Sequence, residues 1–189
     1  MTAAMHVPAF QVRQKITMMV NRYQVFTTNP DGGQGPLLAF AEQKRLAFKE
    51  QVTFFTDESR SRPVFGFKAR QRLDLNAGYD VTDEADQPLG FFRKDFGRSL
   101  LRSTFHLEGP GYAGSGQERN QAVALLRRFT DLSFLPVHFD FHDAEGAVLL
   151  SSQRRFSIGD RYDVSVPDPR VDFRVAAAVA VALDALMSR

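Results

Sequence analysis

The feature that most constrains the fold is the C-terminal segment, in which residues 175–183 contain no polar side chain. Between residues 173 and 187 only Arg174 and Asp184 are polar, and the alanines of this stretch favour an α-helix. A helix without a polar face is either enclosed by protein or spans a membrane. Spanning takes about 20 apolar residues, and this stretch is shorter and charged. The sequence therefore predicts a helix buried inside the protein.

The residues ahead of this stretch predict where the helix begins. Pro169 is tolerated at the first helical position, because its missing N–H would have no partner there. Asp168 is a favourable N-cap residue, since its carboxylate can accept hydrogen bonds from free backbone N–H groups. We therefore expect a helix that begins at Pro169 and is capped by Asp168. Near its other end, Asp184 needs hydrogen-bond donors, and we expect backbone N–H groups or an arginine at the rim of the fold.

Length and composition fit one globular domain. The 189 residues, 43% of them hydrophobic, are enough for one substantial core, so we expect one domain over residues 1–189. The absence of cysteine excludes disulfides and thiolate metal sites. A net charge of +2 gives no strong nucleic-acid signature, and we expect no nucleic-acid partner. Residues 1–15 resemble neither a signal peptide nor a membrane anchor, so we expect a cytoplasmic protein with no transmembrane segment.

Most of the remaining sequence predicts short β-strands. Apolar and polar residues alternate in short runs, and turn-forming residues recur at a spacing of roughly 10 residues. This pattern predicts about eleven or twelve strands, which is typical of an all-β sandwich or barrel. We expect the first corner at Asn21 and Arg22, polar turns at residues 83–88 and 143–146, and a loop over residues 108–114.

One further helix is predicted on the surface. Ser115 and Glu118 have the spacing of a capping box, in which two side chains three residues apart satisfy each other's backbone N–H groups. Three apolar residues then fall on one helical face: Ala122, Leu126 and Phe129. The pattern predicts a surface helix that ends near Asp131.

A buried helix that follows many short strands also constrains the architecture. Strands that close into a barrel around the helix bury its whole surface, and closure leaves no exposed sheet edge. We therefore expect a mainly β fold, a barrel of about twelve strands that encloses the C-terminal helix, with one additional surface helix.

Several motifs, taken in their order along the chain, resemble those of a known superfamily. They are residues 47–57 (AFKEQVTFFTD), 68–70 (KAR), 79–83 (YDVTD), 89–90 (LG), 93–94 (RK), 98–99 (RS) and 181–185 (VALDA). With the apolar terminal helix, the chain resembles the Tubby C-terminal-like superfamily, which includes Tubby-like proteins, phospholipid scramblases and LURP-one-related proteins. It is most similar to the bacterial LURP-one-related type.

The resemblance implies a fold and a class of ligand. The fold is a closed barrel of about twelve strands threaded by the C-terminal helix. Scramblases carry palmitoylated cysteines and a calcium-binding segment, whereas this chain has no cysteine and residues 160–172 lack calcium-loop spacing, so we expect no lipid scrambling. Tubby-like proteins bind phosphoinositides through basic residues, and the superfamily therefore implies binding of anionic lipids.

One strand offers candidate metal ligands. His138, Asp140 and His142 alternate with two phenylalanines, which places the two imidazoles and the carboxylate on one face of a strand. A half-buried strand with a polar outer face gives the same pattern. The alternative function that this strand suggests is a metal-dependent enzyme or a metal-binding protein.

A basic hairpin is the candidate binding site. Arg93, Lys94, Arg98 and Arg102 cluster with phenylalanines around one predicted hairpin, and such a surface suits an anionic membrane. Strand arginines that simply face solvent give the same pattern. A second basic set, Arg154, Arg155 and Arg161, has the same solvent-facing interpretation and fewer aromatic neighbours.

The function expected from the sequence is therefore that of a non-enzymatic module without a cofactor. Its partners are anionic phospholipid headgroups, or a protein at the membrane surface, and its location is cytoplasmic or peripheral to the membrane. No Gly-rich phosphate loop and no nucleophile elbow is present in the sequence, so the familiar routes to nucleotide binding and hydrolase chemistry are unsupported. A barrel filled by its own helix also leaves no interior space for a substrate.

Overall fold

The structure is a computed structural model, which describes residues 4–16, 20–44, 51–70, 78–95, 104–119, 138–155 and 161–187. This part of the chain contains twelve strands and one helix. The strands are β1 (Ala9–Ile16), β2 (Val20–Thr28), β3 (Gln34–Lys44), β4 (Gln51–Phe55), β5 (Pro63–Ala69), β6 (Gly78–Asp83), β7 (Pro88–Asp95), β8 (Thr104–Gly109), β9 (Tyr112–Glu118), β10 (His138–His142), β11 (Val148–Arg155) and β12 (Arg161–Ser165). The helix is α1 (Phe173–Met187).

The twelve strands form one closed antiparallel barrel, in which strands that follow each other in the chain are neighbours. The first and last strands close it, with Phe10 of β1 opposite Val164 of β12 and Val12 opposite Tyr162. Closure leaves none of these strands with an unpaired edge. The predicted barrel around a C-terminal helix is confirmed, including the twelve strands that the family resemblance implied.

The two ends of the barrel differ. Short turns join β2 to β3, β4 to β5, β6 to β7, β8 to β9 and β10 to β11 at one end, which we call the turn end. The helix starts there, where the backbone N–H of Phe173 donates to the carbonyl of Met5 at 2.8 Å. It runs toward the opposite end, where Asp184 meets Tyr23 and Tyr162. We call this opposite end the Asp184 end.

Two of the turns show how the sequence reverses the chain. The Asp83 carboxylate accepts hydrogen bonds, both 2.9 Å long, from the backbone N–H groups two and four residues later. Asp143 makes the same pair of bonds in the β10–β11 turn, at 3.2 and 2.8 Å. A residue with positive φ follows each aspartate at the same spacing, Asp86 and Gly146. These are the side-chain turns that aspartate favours, and the predictions for both are confirmed.

Two predicted connections are wrong. Asn21 and Arg22, the predicted corner, lie inside β2 opposite Ile16 and Lys15 of β1. The predicted loop over residues 108–114 instead contains the end of β8, a two-residue turn and the start of β9. In both places polar residues or glycines occupy paired strand positions, so composition alone did not separate strand from turn.

The start of the predicted surface helix is also wrong. Ser115 and Glu118 belong to β9, where Gly116 between them lies opposite Phe105 of β8 and Phe141 of β10. Strand pairing on both sides satisfies the backbone N–H groups that a capping box would serve, so these residues form a strand although their local sequence favours the start of a helix. The remainder of that prediction, residues 120–131, lies outside the described residues.

The C-terminal helix begins at Phe173 rather than at Pro169. Asp168 caps a turn instead, in which its Oδ1 accepts the N–H of Arg170 at 2.8 Å. The helix cap is Asp172, which accepts the N–H of Arg174 at 2.9 Å through Oδ1. Both aspartates are good caps, and the turn at residues 169–170 places the second one at the mouth of the barrel.

Every residue from 171 to 184 is buried, so this part of the helix has no exposed face. Aromatic rings on the barrel wall surround its small side chains: Phe54 and Phe65 stack at 4.2 Å, and Tyr79 and Phe92 at 5.0 Å between ring centres. Alanine and valine on the helix leave room for these rings, so the interior is filled. The predicted enclosure is confirmed, and the described residues include no helix with the length and apolar character to cross a bilayer.

One glycine allows a strand of the wall to approach the helix backbone closely. A Cβ built on Gly90 of β7 would lie 3.0 Å from a methyl group of Val175 on the helix. It would also lie 2.8 Å from the carbonyl oxygen of Glu108 on β8. The absence of a side chain at this position lets β7 pack directly against the start of α1.

Candidate anion-binding surface

The predicted basic hairpin begins in β7, where the structure places Arg93 and Lys94 on opposite faces. Arg93 is exposed and lies opposite His106 on the outer face. Lys94 lies opposite the buried Phe105, and its Nζ is 5.8 Å from the centre of that ring. Because consecutive strand residues point to opposite faces, these two cations do not share one exposed patch.

The other two residues of the predicted site, Arg98 and Arg102, lie outside the described residues. Next to Arg93 on the outer face, Asp95 lies 3.5 Å from Nε2 of His106 across to β8. Of the four predicted residues, Arg93 is therefore the one that the structure places on the outer surface.

The candidate metal ligands share one face, as predicted. His138, Asp140 and His142 lie on the outer face of β10, because Phe139 and Phe141 between them are buried in the core. Within the part of the chain that the structure describes, no group of three or more histidine, aspartate and glutamate side chains is placed to hold a metal ion. The shared face reflects strand alternation.

The central carboxylate of this strand is already engaged. Arg119 donates to both oxygens of Asp140, at 2.6 and 2.7 Å, and the Ser151 hydroxyl donates to Oδ1 at 2.8 Å. The hydrogen bonds from Arg119 hold the pKa of Asp140 below its usual value. Burial, followed by the charge of Arg119, lowers the pKa of His138. A metal ion would have to displace the arginine, and the metal alternative is therefore not favoured.

A different basic surface crosses the seam where the barrel closes, and we call it the basic belt. Its members lie on the outer faces of four neighbouring strands: Arg155 (β11), Arg161 (β12), Arg13 and Lys15 (β1), and Arg22 (β2). Arg161 lies between Arg155 and Arg13 in the strand register, and Lys15 lies opposite Arg22. With strands about 4.8 Å apart, the belt is about 14 Å wide. Arg154 is not a member, because it lies opposite the buried Tyr162.

Two carboxylates neutralise part of the belt. Asp163 accepts hydrogen bonds from Nε of both Arg155 and Arg161, the latter at 3.1 Å. Glu42 on β3 accepts a hydrogen bond from Nε of Arg22 at 3.0 Å. Since one aspartate is shared by two arginines, these pairs leave positive charge in excess.

The two belt cations on β1 are the most available to a ligand. Arg13 and Lys15 are exposed, and neither has a carboxylate partner among the described residues. The guanidinium of Arg13 lies 5.9 Å from the centre of the Phe26 ring, which is half-buried on the outer face of β2. The belt therefore combines unpaired cations with an aromatic ring.

The turn end carries the opposite charge. Its five turns and the segment that leads into α1 hold ten carboxylates: Asp31, Asp57, Glu58, Asp83, Glu84, Asp86, Asp143, Glu145, Asp168 and Asp172. The same segments hold three arginines: Arg60, Arg62 and Arg170. Two of these are paired, since Arg60 contacts Glu42 at 2.7 Å and Arg170 contacts Asp168 at 2.6 Å. The barrel is therefore acidic at the turn end and basic along the seam near the Asp184 end.

A buried ion pair fixes the start of the helix. Arg174 donates from Nε and Nη2 to the two oxygens of Asp172, at 3.0 and 2.8 Å, and both residues are buried. The backbone N–H of Met5 adds a hydrogen bond to Asp172 at 3.0 Å. The hydrogen bonds to Asp172 raise the pKa of Arg174, so the guanidinium stays charged. It ties the N-terminal segment to the helix.

Tyrosine hydroxyls meet the buried carboxylate at the other end of the helix. Tyr23 donates to Oδ2 of Asp184 at 2.9 Å, and Tyr162 donates to Oδ1. Gln14 donates to the Tyr23 oxygen at 3.2 Å. Burial, followed by the charge of Asp184, raises the pKa of Tyr23, so its hydroxyl remains a donor. The two phenols are partners that the sequence did not predict.

The structure is a closed twelve-stranded barrel whose interior is filled by the chain's own C-terminal helix. This is the class of fold that the resemblance to the LURP-one-related proteins implied. The sequence model of the LURP-one-related family matches residues 37–184, which is most of the chain. The chain therefore belongs to the LURP-one-related family, as the motifs quoted above predicted.

Other comparisons add little. No curated protein matches this sequence. Among solved structures, a porin-like protein from Bacteroides uniformis is similar at 7% sequence identity, over 86% of this chain and 97% of that chain. The TM-score of this likeness is 0.25, which is too low to support an argument.

Proposed function

We propose that this protein is a non-enzymatic module that binds anionic phospholipid headgroups at a membrane surface. The observation that carries the proposal is the filled interior: residues 171–184 of the helix segment are buried within the ring of twelve strands. Ligand sites in barrels usually lie inside them, so a barrel whose interior holds its own helix presents its binding chemistry on the outer wall.

The charges on that wall support an anionic ligand. Arg13, Lys15 and Arg93 are exposed and have no carboxylate partner among the described residues. A basic residue near an anionic membrane contributes about 1 kcal/mol to binding. The hairpin expected from the sequence, with Arg93, Lys94, Arg98 and Arg102, stays a candidate in which Arg93 is the exposed member within the described residues.

The proposal includes a location and a competing partner. Weak electrostatic contacts suit a cytoplasmic protein that associates reversibly with the inner surface of a membrane. A protein partner at the membrane surface is the other candidate from the sequence, and the test below distinguishes the two.

Co-sedimentation with liposomes tests the proposal. We expect binding to vesicles that contain phosphatidylserine and none to pure phosphatidylcholine vesicles. Binding should fade as added salt shortens the screening length from about 10 Å at 0.1 M to about 3 Å at 1 M. Absence of binding to anionic vesicles at low salt would contradict the lipid function and favour the protein partner.

Elemental analysis of the purified protein tests the alternative. We expect no stoichiometric metal, because Asp140 of the β10 strand is held by Arg119. A stoichiometric transition metal that is lost on replacing both His138 and His142 by glutamine would instead support a metal site.

A further inference from the structure

We infer that the basic belt, rather than the β7–β8 hairpin, is the surface that meets the anionic bilayer. The inference rests on the proposed function and names its site. The belt brings Arg13, Lys15 and Arg22 next to Arg155 and Arg161 across the closure of β1 on β12, so it exists only in the folded barrel.

The belt is a continuous surface of cations. In one row of the strand register Arg155, Arg161 and Arg13 lie side by side on β11, β12 and β1. In the next row Lys15 and Arg22 lie opposite each other on β1 and β2. Cations in such a row can contact several phosphates of one membrane surface at once, whereas an isolated cation on a strand can contact only one.

The outer face around Arg93 is less suited to phosphates. Its neighbour Asp95 contacts His106 at 3.5 Å. Nearby, Arg70 is held by a bidentate contact with Asp80, with distances from 2.7 to 3.0 Å, and stacks on Phe91 at 4.0 Å. On this side of the barrel one cation is paired with a carboxylate and another carboxylate lies beside Arg93, whereas Arg13 and Lys15 have no carboxylate partner within the described part of the chain.

The charge polarity of the barrel favours the same orientation. The ten carboxylates of the turn end lie where the helix begins, and the belt lies toward the end where it finishes. A helix of the observed length rises about 22 Å at 1.5 Å per residue, roughly two screening lengths at 0.1 M salt. The carboxylates of the turn end therefore lie too far along the barrel axis to cancel much of the positive potential of the belt.

Three double charge reversals test the inference on the full chain. The belt variant is Arg13→Glu with Lys15→Glu, and the hairpin variant is Arg93→Glu with Arg98→Glu. The matched control is Arg62→Glu with Lys68→Glu, which reverses two exposed cations that have no carboxylate partner among the described residues. All three change the net charge equally, and thermal melting verifies that each variant is folded.

The readout is the partition coefficient on phosphatidylserine vesicles at low salt. A basic residue near an anionic surface gains roughly fivefold in binding, so the loss of two cations alone predicts a decrease of about thirtyfold for the belt variant. Repulsion of the two new glutamates should increase this loss, while the control loses far less. Equal losses of binding in the belt and control variants, or a loss confined to the hairpin variant, would contradict the belt as the membrane-facing surface. Either result would leave the proposed lipid function intact. No binding by the unmodified protein would overturn both, and binding of the belt to soluble polyglutamate in that case would point to an acidic protein partner.

Discussion

The two ends of the helix hold a buried carboxylate in different ways. At the turn end Asp172 is paired with the guanidinium of Arg174 and also caps the helix. At the opposite end Asp184 accepts hydrogen bonds from the neutral hydroxyls of Tyr23 and Tyr162. The guanidinium brings a counter-charge to Asp172, whereas the two phenols contribute neutral hydrogen bonds to Asp184. The comparison teaches that one apolar helix can be fixed at both ends of a barrel by different polar chemistry.

The outer surfaces near the two ends differ as well. The turn end is acidic, and the seam toward the Asp184 end is basic. The buried carboxylates of Asp172 and Asp184 are engaged by protein partners, while Arg13 and Lys15 on the seam have no carboxylate partner in the described residues. The interior therefore accounts for stability, and the exterior provides the charge that a ligand can recognise.

The largest effect on stability is expected from a substitution in the middle of the buried helix, because this segment connects the two ends. Val179→Asp places an unpaired charge at a position that is 1% exposed, and its cost of several kcal/mol is comparable with the stability of a whole domain. Circular dichroism should show no cooperative unfolding. Val148→Asp, at a position 38% exposed, is the matched control and should fold normally. Truncation after Arg170 should also abolish folding, and a cooperative truncated protein would contradict the barrel.

Breaking the ion pair at the turn end should reduce the free energy of unfolding more than breaking a phenol contact at the Asp184 end. Arg174→Met leaves Asp172 buried without its counter-charge, and we expect the free energy of unfolding to fall by about 3 kcal/mol. Denaturant titration measures this change. The double variant Arg174→Met with Asp172→Asn removes the stranded charge while keeping a cap, so it should recover part of the loss. A double variant less stable than the single one would contradict this role.

The phenol contacts at the Asp184 end should be worth less. Tyr162→Phe removes one hydrogen bond to a buried carboxylate, and we expect a loss of about 2 kcal/mol in the free energy of unfolding. Tyr112→Phe is the matched control, because its buried hydroxyl has no hydrogen-bond partner among the residues that the structure describes. If both substitutions reduce the free energy of unfolding in denaturant titration by the same amount, the hydrogen bond from Tyr162 does not stabilise the helix carboxylate.

The smallest expected effect is a pH dependence at His138. Burial lowers its pKa in the folded protein from 6.5, so below that pH the unfolded chain binds more protons than the folded one. Stability therefore falls as the pH decreases through 6.5, and His138→Gln should reduce this fall. Melting temperatures at pH 7.5 and pH 5.0 measure it, with His142→Gln as the matched control. An unchanged pH dependence in His138→Gln would show that this imidazole does not contribute.

Much of the fold could be predicted because periodicity reports burial directly. Residues 175–183 lack polar side chains, and that alone required a protein enclosure, which the strands then supplied. Local signals failed where tertiary pairing offered a better partner. Ser115 and Glu118 have the spacing of a capping box but are paired as strand residues in β9. Asp168, the predicted helix cap, instead caps a turn, and Asp172 caps the helix.

The surface was harder to predict than the interior. Arg93 and Lys94 are adjacent in sequence but point to opposite faces of β7, so their proximity along the chain did not make a patch. Arg13 and Lys15 were not predicted as part of a site, because their neighbours on β11 and β12 are more than a hundred residues away in sequence. A charged surface built across the closure of a barrel becomes evident only when the strand register is known.

A pair of single-cysteine variants tests most directly whether the seam, and not the turn end, faces an anionic bilayer. The chain has no native cysteine, so Gln153→Cys beside the belt and Ala144→Cys in the β10–β11 turn can each carry one polarity-sensitive fluorophore. With phosphatidylserine vesicles at low salt, we expect a blue shift at position 153 and none at position 144. A blue shift at position 144 alone, or equal shifts at both positions, would contradict the proposed orientation.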